Sequence, residues 1–177
     1  MYDFDTFVDR EGTGSTKWAL RPEVIRQAGH VPLSVADMEF RCPVKVREAV
    51  CRAAEHGVYG YTHADDAYFD ALAGFMKRRH GLDILREWLL VTNGVVSGLG
   101  VAVRALSAPG DGIIIQPPVY APFFEVIEAS GRKLLRNPLI EQGGRYEIDF
   151  EGFERLCASD EAKLFILCNP HNPVGRV

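Results

Sequence analysis

The chain has 177 residues, 47% of them apolar and 25% charged, with a formal net charge of −4. This is the composition of a soluble globular protein able to bury a sizeable core. Its acidic balance excludes nucleic acid as the main partner, because a phosphate backbone selects a basic surface. No apolar run is long enough to span a bilayer, and MYDFDTFVDR opens acidic and aromatic, unlike a signal peptide. The expectation is a cytoplasmic protein with no membrane partner. Four cysteines, Cys42, Cys51, Cys157 and Cys168, form no CxxC pair and read as free thiols in or near the core of a protein from a reducing compartment.

Residues through Lys17 and Trp18 mix Gly, Thr, Ser and charges without a period and predict an irregular arm. Val31 to Ala36 (VPLSVA) predicts a short extended segment ending at Asp37. Pro43 predicts the start of a helix, PVKVREAVCRAAEHG, with Val46, Ala49, Val50 and Ala53 on one face and Gly57 at its end. After the aromatic turn VYGYTHADD, a second helix is predicted to about His80. Its stripe is Tyr68, Ala71, Leu72 and Phe75, and Gly81 is its stop.

From there the chain alternates: strand WLLVT, helix VVSGLGVAVRAL, strand GIIIQ, helix YAPFFEVIEAS, strand KLLRNPL, helix FEGFERLCA, strand KLFILCNP. Strands separated by helical segments of this length imply crossover connections, hence an α/β fold with a mostly parallel sheet covered by helices on both faces. The last residues, CNPHNPVGRV, read as a loop after a buried strand. The expectation is that the sequence is a fragment, or the ordered part, of a longer polypeptide.

Three loops follow predicted strands, at the strand ends where open α/β sheets bind ligands. Thr92–Gly98 offers Gly94 for a tight turn and then the amides of Val95 and Val96 at a helix N-terminus. It is either a phosphate site or merely a turn, and it matches neither GxxxxGK[ST] nor GxGxxG. Gln116–Tyr120 uses two prolines to deliver Tyr120 at a helix start, where an aromatic could lie flat on a planar ligand or belong to the core. Cys168–Gly175 holds two Asn-Pro steps, which constrain the turn and could aim an asparagine into a site or simply shape the surface. Taken together, a phosphate cup, an aromatic plate and a polar asparagine would enclose one flat phosphorylated ring.

These residues carry a resemblance. TNGVVSG, PPVYAPF and NPHNPVG resemble motifs of the fold type I pyridoxal-phosphate enzymes, the aspartate aminotransferase superfamily. DRxGTxSxKW (Asp9 to Trp18), SVADMEF (Ser34 to Phe40) and HGVYGYT (His56 to Thr62) are similar to the MalY/PatB group of cystathionine β-lyases, C–S lyases and related aminotransferases. The resemblance implies that Gly94, Val95 and Val96 form the phosphate cup of pyridoxal 5'-phosphate, that Tyr120 stacks on its ring, and that Asn172 hydrogen-bonds the ring's phenolic oxygen. It implies that Tyr61 reaches the phosphate of a neighbouring subunit in a homodimer, and that Ala36 and Asp37 border the amino-acid substrate. Residues 1–45 would be an arm and small-domain segment, and 46–177 the N-terminal part of the large cofactor-binding domain.

The Schiff-base lysine is expected beyond Val177, as are the aspartate and arginine that meet the ring nitrogen and the substrate carboxylate. Lys17, Lys45, Lys77, Lys133 and Lys163 read as solvated surface charges. The five histidines show no metal spacing and are assigned no catalytic role, and His171 lies within the asparagine loop. The implied activity is α,β-elimination from cystathionine- or cysteine-type amino acids to pyruvate, ammonia and a thiol. Amino transfer is the alternative. A regulatory domain that binds the cofactor is less favoured, because the chain starts with the enzyme-type arm, and a nucleotide-binding domain lacks its fingerprint.

Overall fold

In the computed structural model, which describes residues 2–19, 23, 32 and 35–177, the chain divides between His63 and Ala64 into two units. The arm is not wholly irregular. It contains one helical turn, α1 (Thr16–Ala19), whose Lys17 and Trp18 are buried. The predicted segment Val31 to Ala36 lies largely outside the described residues. Helix α2 (Val44–Glu55) begins one residue after Pro43, which is extended at ψ 143° and so precedes the helix rather than opening it. The face shared by Val46, Ala49, Val50 and Ala53 is exposed among the described residues, so its periodicity is helical without its being core.

The second unit opens with α3 (Asp66–His80). Asp65 caps it by accepting from the Tyr68 amide at 3.0 Å, and Gly81 stops it in the left-handed region. Its inward stripe is Phe69, Leu72, Ala73 and Met76 rather than Tyr68, Ala71, Leu72 and Phe75. Both stripes have helical spacing and they overlap, so the sequence alone does not choose. In the fold, Phe69 turns inward and the Arg86 guanidinium lies 3.4 Å over its ring.

A 3-10 turn (Arg86–Trp88) leads into Leu89–Thr92, which is extended at Leu89 but pairs with no strand among the described residues. The predicted strand WLLVT is therefore absent, and Leu90 and Val91 are exposed. An apolar run has the conformation of a strand by itself, but a strand exists only as a ladder with a partner.

The remaining elements are α4 (Val95–Leu106), β1 (Gly112–Ile115), α5 (Pro122–Ala129), β2 (Lys133–Arg136), β3 (Ile140–Gln142), β4 (Arg145–Glu147), α6 (Phe150–Cys157) and β5 (Ala162–Phe165). The sheet order is β2-β1-β5, all parallel, with Ile113 paired to Leu134 on one side and Leu164 on the other. This is the α/β class expected, a parallel sheet flanked by helices.

Strand β1 is buried along its whole length. Ile113 and Ile115 join Val103 of α4, Ile127 of α5 and Val119 in one core cluster, while Ile114 is buried on the opposite face of the strand. Each of these fully buried side chains stabilises by roughly 1.5–3 kcal/mol. Gly112 sits where the β1–β5 register shifts. A Cβ there would come within 2.5 Å of Leu135 Cδ1 and 2.8 Å of the Glu161 carbonyl oxygen, so only glycine fits. Strands β3 and β4 form a hairpin that the helix–strand alternation does not predict. Its signal was the two-residue Gly143–Gly144 turn between short polar and aromatic strands.

Candidate functional site

The three loops all belong to the second unit: those holding Tyr120 and Asn172 follow the neighbouring strands β1 and β5, and the one at Gly94 opens α4. Gly94 stands at the N-cap of α4 with φ 95° and ψ 158°, a conformation that side chains rarely adopt. No side chain caps the helix and its first turn holds no acidic residue. The first helical bond is Gly98 N–H to Gly94 O at 3.1 Å, so the amides of Val95, Val96 and Ser97 have no partner within the helix. Thr92 donates its hydroxyl to the Gly94 carbonyl at 3.1 Å, and a Cβ on Gly98 would lie 3.0 Å from that hydroxyl. The result is an open helix N-terminus with unpaired donors and a favourable dipole, which suits an anion.

Tyr120 follows β1 through Pro117 and Pro118, whose shared peptide bond is cis. It lies directly before α5, is 39% exposed, and meets Phe123 edge-on with centroids 5.8 Å apart. One edge of the ring is thereby fixed by the core while the side chain keeps access to solvent. Asn172 lies after β5 in a turn with two cis peptide bonds, Asn169–Pro170 and Asn172–Pro173. Its side chain is exposed, while its amide donates to Cys168 Sγ at 3.3 Å. Because β1 and β5 are adjacent and parallel, their following loops lie at the same sheet edge. They are tied by His171 Nε2 to Gln116 O at 3.3 Å. Beside them is a cavity of about 340 Å³ lined in part by Gln116, Tyr146, Cys168, Asn169 and His171.

Phosphate, ring face and polar ring substituent are the three parts of pyridoxal phosphate. An uncapped helix start free of carboxylates, a half-exposed aromatic and an exposed amide side chain fit them in kind. Among the described residues no group of three or more His, Cys, Asp or Glu could hold a metal ion.

Ala36, Asp37 and Tyr61 belong to the N-terminal unit. Tyr61 is fully exposed, on the turn between α2 and the second unit. Ala36 is exposed, and Asp37 is engaged by the Arg10 guanidinium. Around it lies a polar node that sequence reasoning missed. Glu39 accepts from Trp18 Nε1 at 3.0 Å, from Lys17 Nζ at 3.1 Å and from Arg10 Nη1 at 3.2 Å, and Lys17 Nζ also donates to the Asp37 carbonyl at 2.9 Å. Lys17 is therefore a buried, multiply paired cation and not a solvated charge. The available signal was its place beside Trp18 in the DRxGTxSxKW motif, which also supplies Arg10.

Arg10 hydrogen bonding holds the Asp37 carboxyl below its ordinary range, and the Trp18 and Lys17 bonds do the same for Glu39. The cysteines are free, but Cys42, Cys51 and Cys157 are exposed rather than near the core. Only Cys168 packs against the core cluster.

Among the described residues no helix is long and apolar enough to cross a membrane. The cystathionine beta-lyase PatB of Bacillus subtilis is 44% identical over 174 residues, which cover 98% of this chain and 45% of that protein. Cystalysin from Treponema denticola, whose crystal structure contains a pyridoxal 5'-phosphate cofactor, superposes with a TM-score of 0.90 at 42% identity. The match covers all of this chain and 45% of that one. The cofactor-bound C-S lyase from Staphylococcus hominis gives a TM-score of 0.88 at 31% identity, again over 100% and 45% of the two chains. The chain thus spans about 45% of the length of these relatives. The profile of the aminotransferase class I and II family matches residues 29–177, and the chain belongs to that family.

Proposed function

We propose that the intact protein is a pyridoxal-phosphate-dependent C–S β-lyase, which cleaves cystathionine- or cysteine-type amino acids to pyruvate, ammonia and a thiol. The observation that carries this reading is the 44% identity, across 98% of the chain, to a relative named cystathionine beta-lyase. Residues 1–45 then belong with the small domain, and 46–177 open the large one. When bound, the cofactor supplies an electron sink for the charge left on the substrate α-carbon.

Gly94 keeps the approach to α4 open, and the amides of Val95 and Val96 donate to the phosphate. Tyr120 covers one ring face and excludes water from it, and Asn172 donates to the phenolic oxygen. Tyr61 reaches the phosphate of the neighbouring subunit, which makes a homodimer the working unit. The segment at Ala36 and Asp37 borders the substrate. Arg10 engages the Asp37 carboxylate and Lys17 the Asp37 carbonyl, so both groups are held by the arm. The lysine that holds the cofactor belongs to the part of the relatives that this chain does not span.

Incubating the intact, cofactor-loaded protein with cystathionine should release pyruvate, ammonia and thiol in equal amounts. Formation of a 2-oxo acid only in the presence of an amino-group acceptor, without ammonia, would make the protein an aminotransferase instead. Tyr120→Phe should keep cofactor affinity, and Tyr120→Ala should lower it by up to about tenfold. Tyr61→Phe should loosen the cofactor while leaving the dimer intact.

A further inference from the structure

His171 precedes the exposed Asn172 and is itself only 8% exposed. Its Nε2 lies 3.3 Å from the Gln116 carbonyl. A carbonyl oxygen can only accept, so Nε2 carries a proton, and in the neutral ring Nδ1 is then an acceptor. That Nδ1 is buried and has no hydrogen-bond partner among the described residues. An apolar side chain of similar size would fill the space without stranding an acceptor, so packing alone does not account for the imidazole. What it adds is the bond to Gln116.

The receiving end of that bond is fixed. Gln116 is 3% exposed and donates through Nε2 to Asn137 Oδ1 at 2.9 Å. Asn137 is 1% exposed, donates its backbone N–H to Ile115 O at 3.0 Å, and donates through Nδ2 to the Asp149 carbonyl at 3.0 Å. Asp149 in turn caps α6 through the Gly152 amide at 2.9 Å. The turn holding Asn172 is closed on itself by His171 N–H to Arg176 O and Gly175 N–H to His171 O, each 2.7 Å. A self-closed turn is thus fastened, through one buried ring, to a polar chain that ends at a helix cap. The fastening point, Gln116, is four residues before Tyr120.

We propose that His171 is a positioning residue: it ties the asparagine turn after β5 to the tyrosine loop after β1, and so fixes where Asn172 stands relative to the cofactor ring that Tyr120 covers. This rests on the cofactor reading above. Neither Asn172 nor Tyr120 is buried, so their separation is set by the backbones that carry them, and the His171–Gln116 hydrogen bond joins the two loops.

The test uses the intact protein as apoprotein, titrated with pyridoxal phosphate and followed by the visible absorption of the bound cofactor. His171→Leu should lower affinity by about tenfold, the size of one lost hydrogen bond. His171→Gln, which can still donate to the Gln116 carbonyl, should recover most of it, and His171→Asn, which is too short, should not. In an Asn172→Ala background His171→Leu should cost nothing further, because there is no asparagine left to position. Amide exchange over residues 169–175 in the apoprotein should rise in the Leu and Asn variants and not in the Gln variant. If His171→Leu does not fold, the Gln and Asn variants give the same ordering. Wild-type affinity in the Asn variant, or an equal loss with and without Asn172, would overturn the assignment. A wild-type protein that binds no pyridoxal phosphate would fail the cofactor reading itself, and this inference with it.

Discussion

In the N-terminal unit, Lys17 is buried at 6% exposure because Glu39 and the Asp37 carbonyl surround its ammonium. In the second unit, Ile113, Ile115 and Ile127 are buried at 0% because apolar side chains surround them. The first arrangement depends on protonation and on direction, since each donor must meet one oxygen. The second depends on volume, since dispersion and the hydrophobic effect have no direction. The comparison teaches where each unit is vulnerable: one to acid, the other to a missing or an added methyl group.

The largest effect should come from emptying the core. Ile115→Ala in the intact protein should destabilise the second unit by about 2–5 kcal/mol, measured by denaturant unfolding. Against a usual net stability of about 5–15 kcal/mol, that is enough to lower the yield of folded protein. Overfilling should cost somewhat less. Gly112→Ala must push aside Leu135 or the Glu161 carbonyl and should destabilise by roughly 1–3 kcal/mol, with protection lost first along β5 in hydrogen exchange. If Gly112→Ala were neutral, the close approach of β5 at the register shift would not be a constraint.

Acid should reverse the ranking of the two units. Asp37 and Glu39 both have folded pKa values below their ordinary ones. Their contribution is therefore complete above the ordinary carboxylate range and is lost as pH falls through the lowered values. Trp18 donates to Glu39, so its fluorescence, in a protein whose remaining tryptophans are replaced by phenylalanine, should report this loss while the second unit remains folded. Glu39→Gln should remove most of the pH dependence. A signal that is flat through the acid range would show that the node does not order the arm. The smallest effect should come from an exposed ion pair. Lys133 and Glu161 are 2.5 Å apart with side chains 60% and 41% exposed, and Lys133→Ala should change stability by less than about 1 kcal/mol.

Much of the second unit was legible residue by residue. Gly81 stops α3, the apolar run GIIIQ becomes the buried strand β1, and the helix–strand alternation yields a parallel sheet. Those signals are local, and each acts within a turn or two of chain. The motifs at Gly94, Tyr120 and Asn172 were equally visible as residue types in loops; the structure puts Gly94 before a helix with no strand ahead of it among the described residues, and adds that the second and third loops are tied together.

Four features were not legible, for related reasons. WLLVT has the composition of a strand, but pairing is a property of two segments and only the fold says whether the second is there. The stripe on α3 could be drawn two ways until Phe69 met Arg86. Lys17 reads as a surface charge in any window of sequence, because the carboxylate that draws it inward is 22 residues away. His171 reads as one residue of a proline-rich turn, because the carbonyl it holds is 55 residues away. The sequence by itself determined the propensities, the caps, the apolar period and the chemistry of the loops, all of which are short-range. Only the tertiary structure decided which of two possible faces is buried, which extended segment is a strand, and which polar groups find partners, because those depend on what chain folding brings within hydrogen-bonding or van der Waals reach.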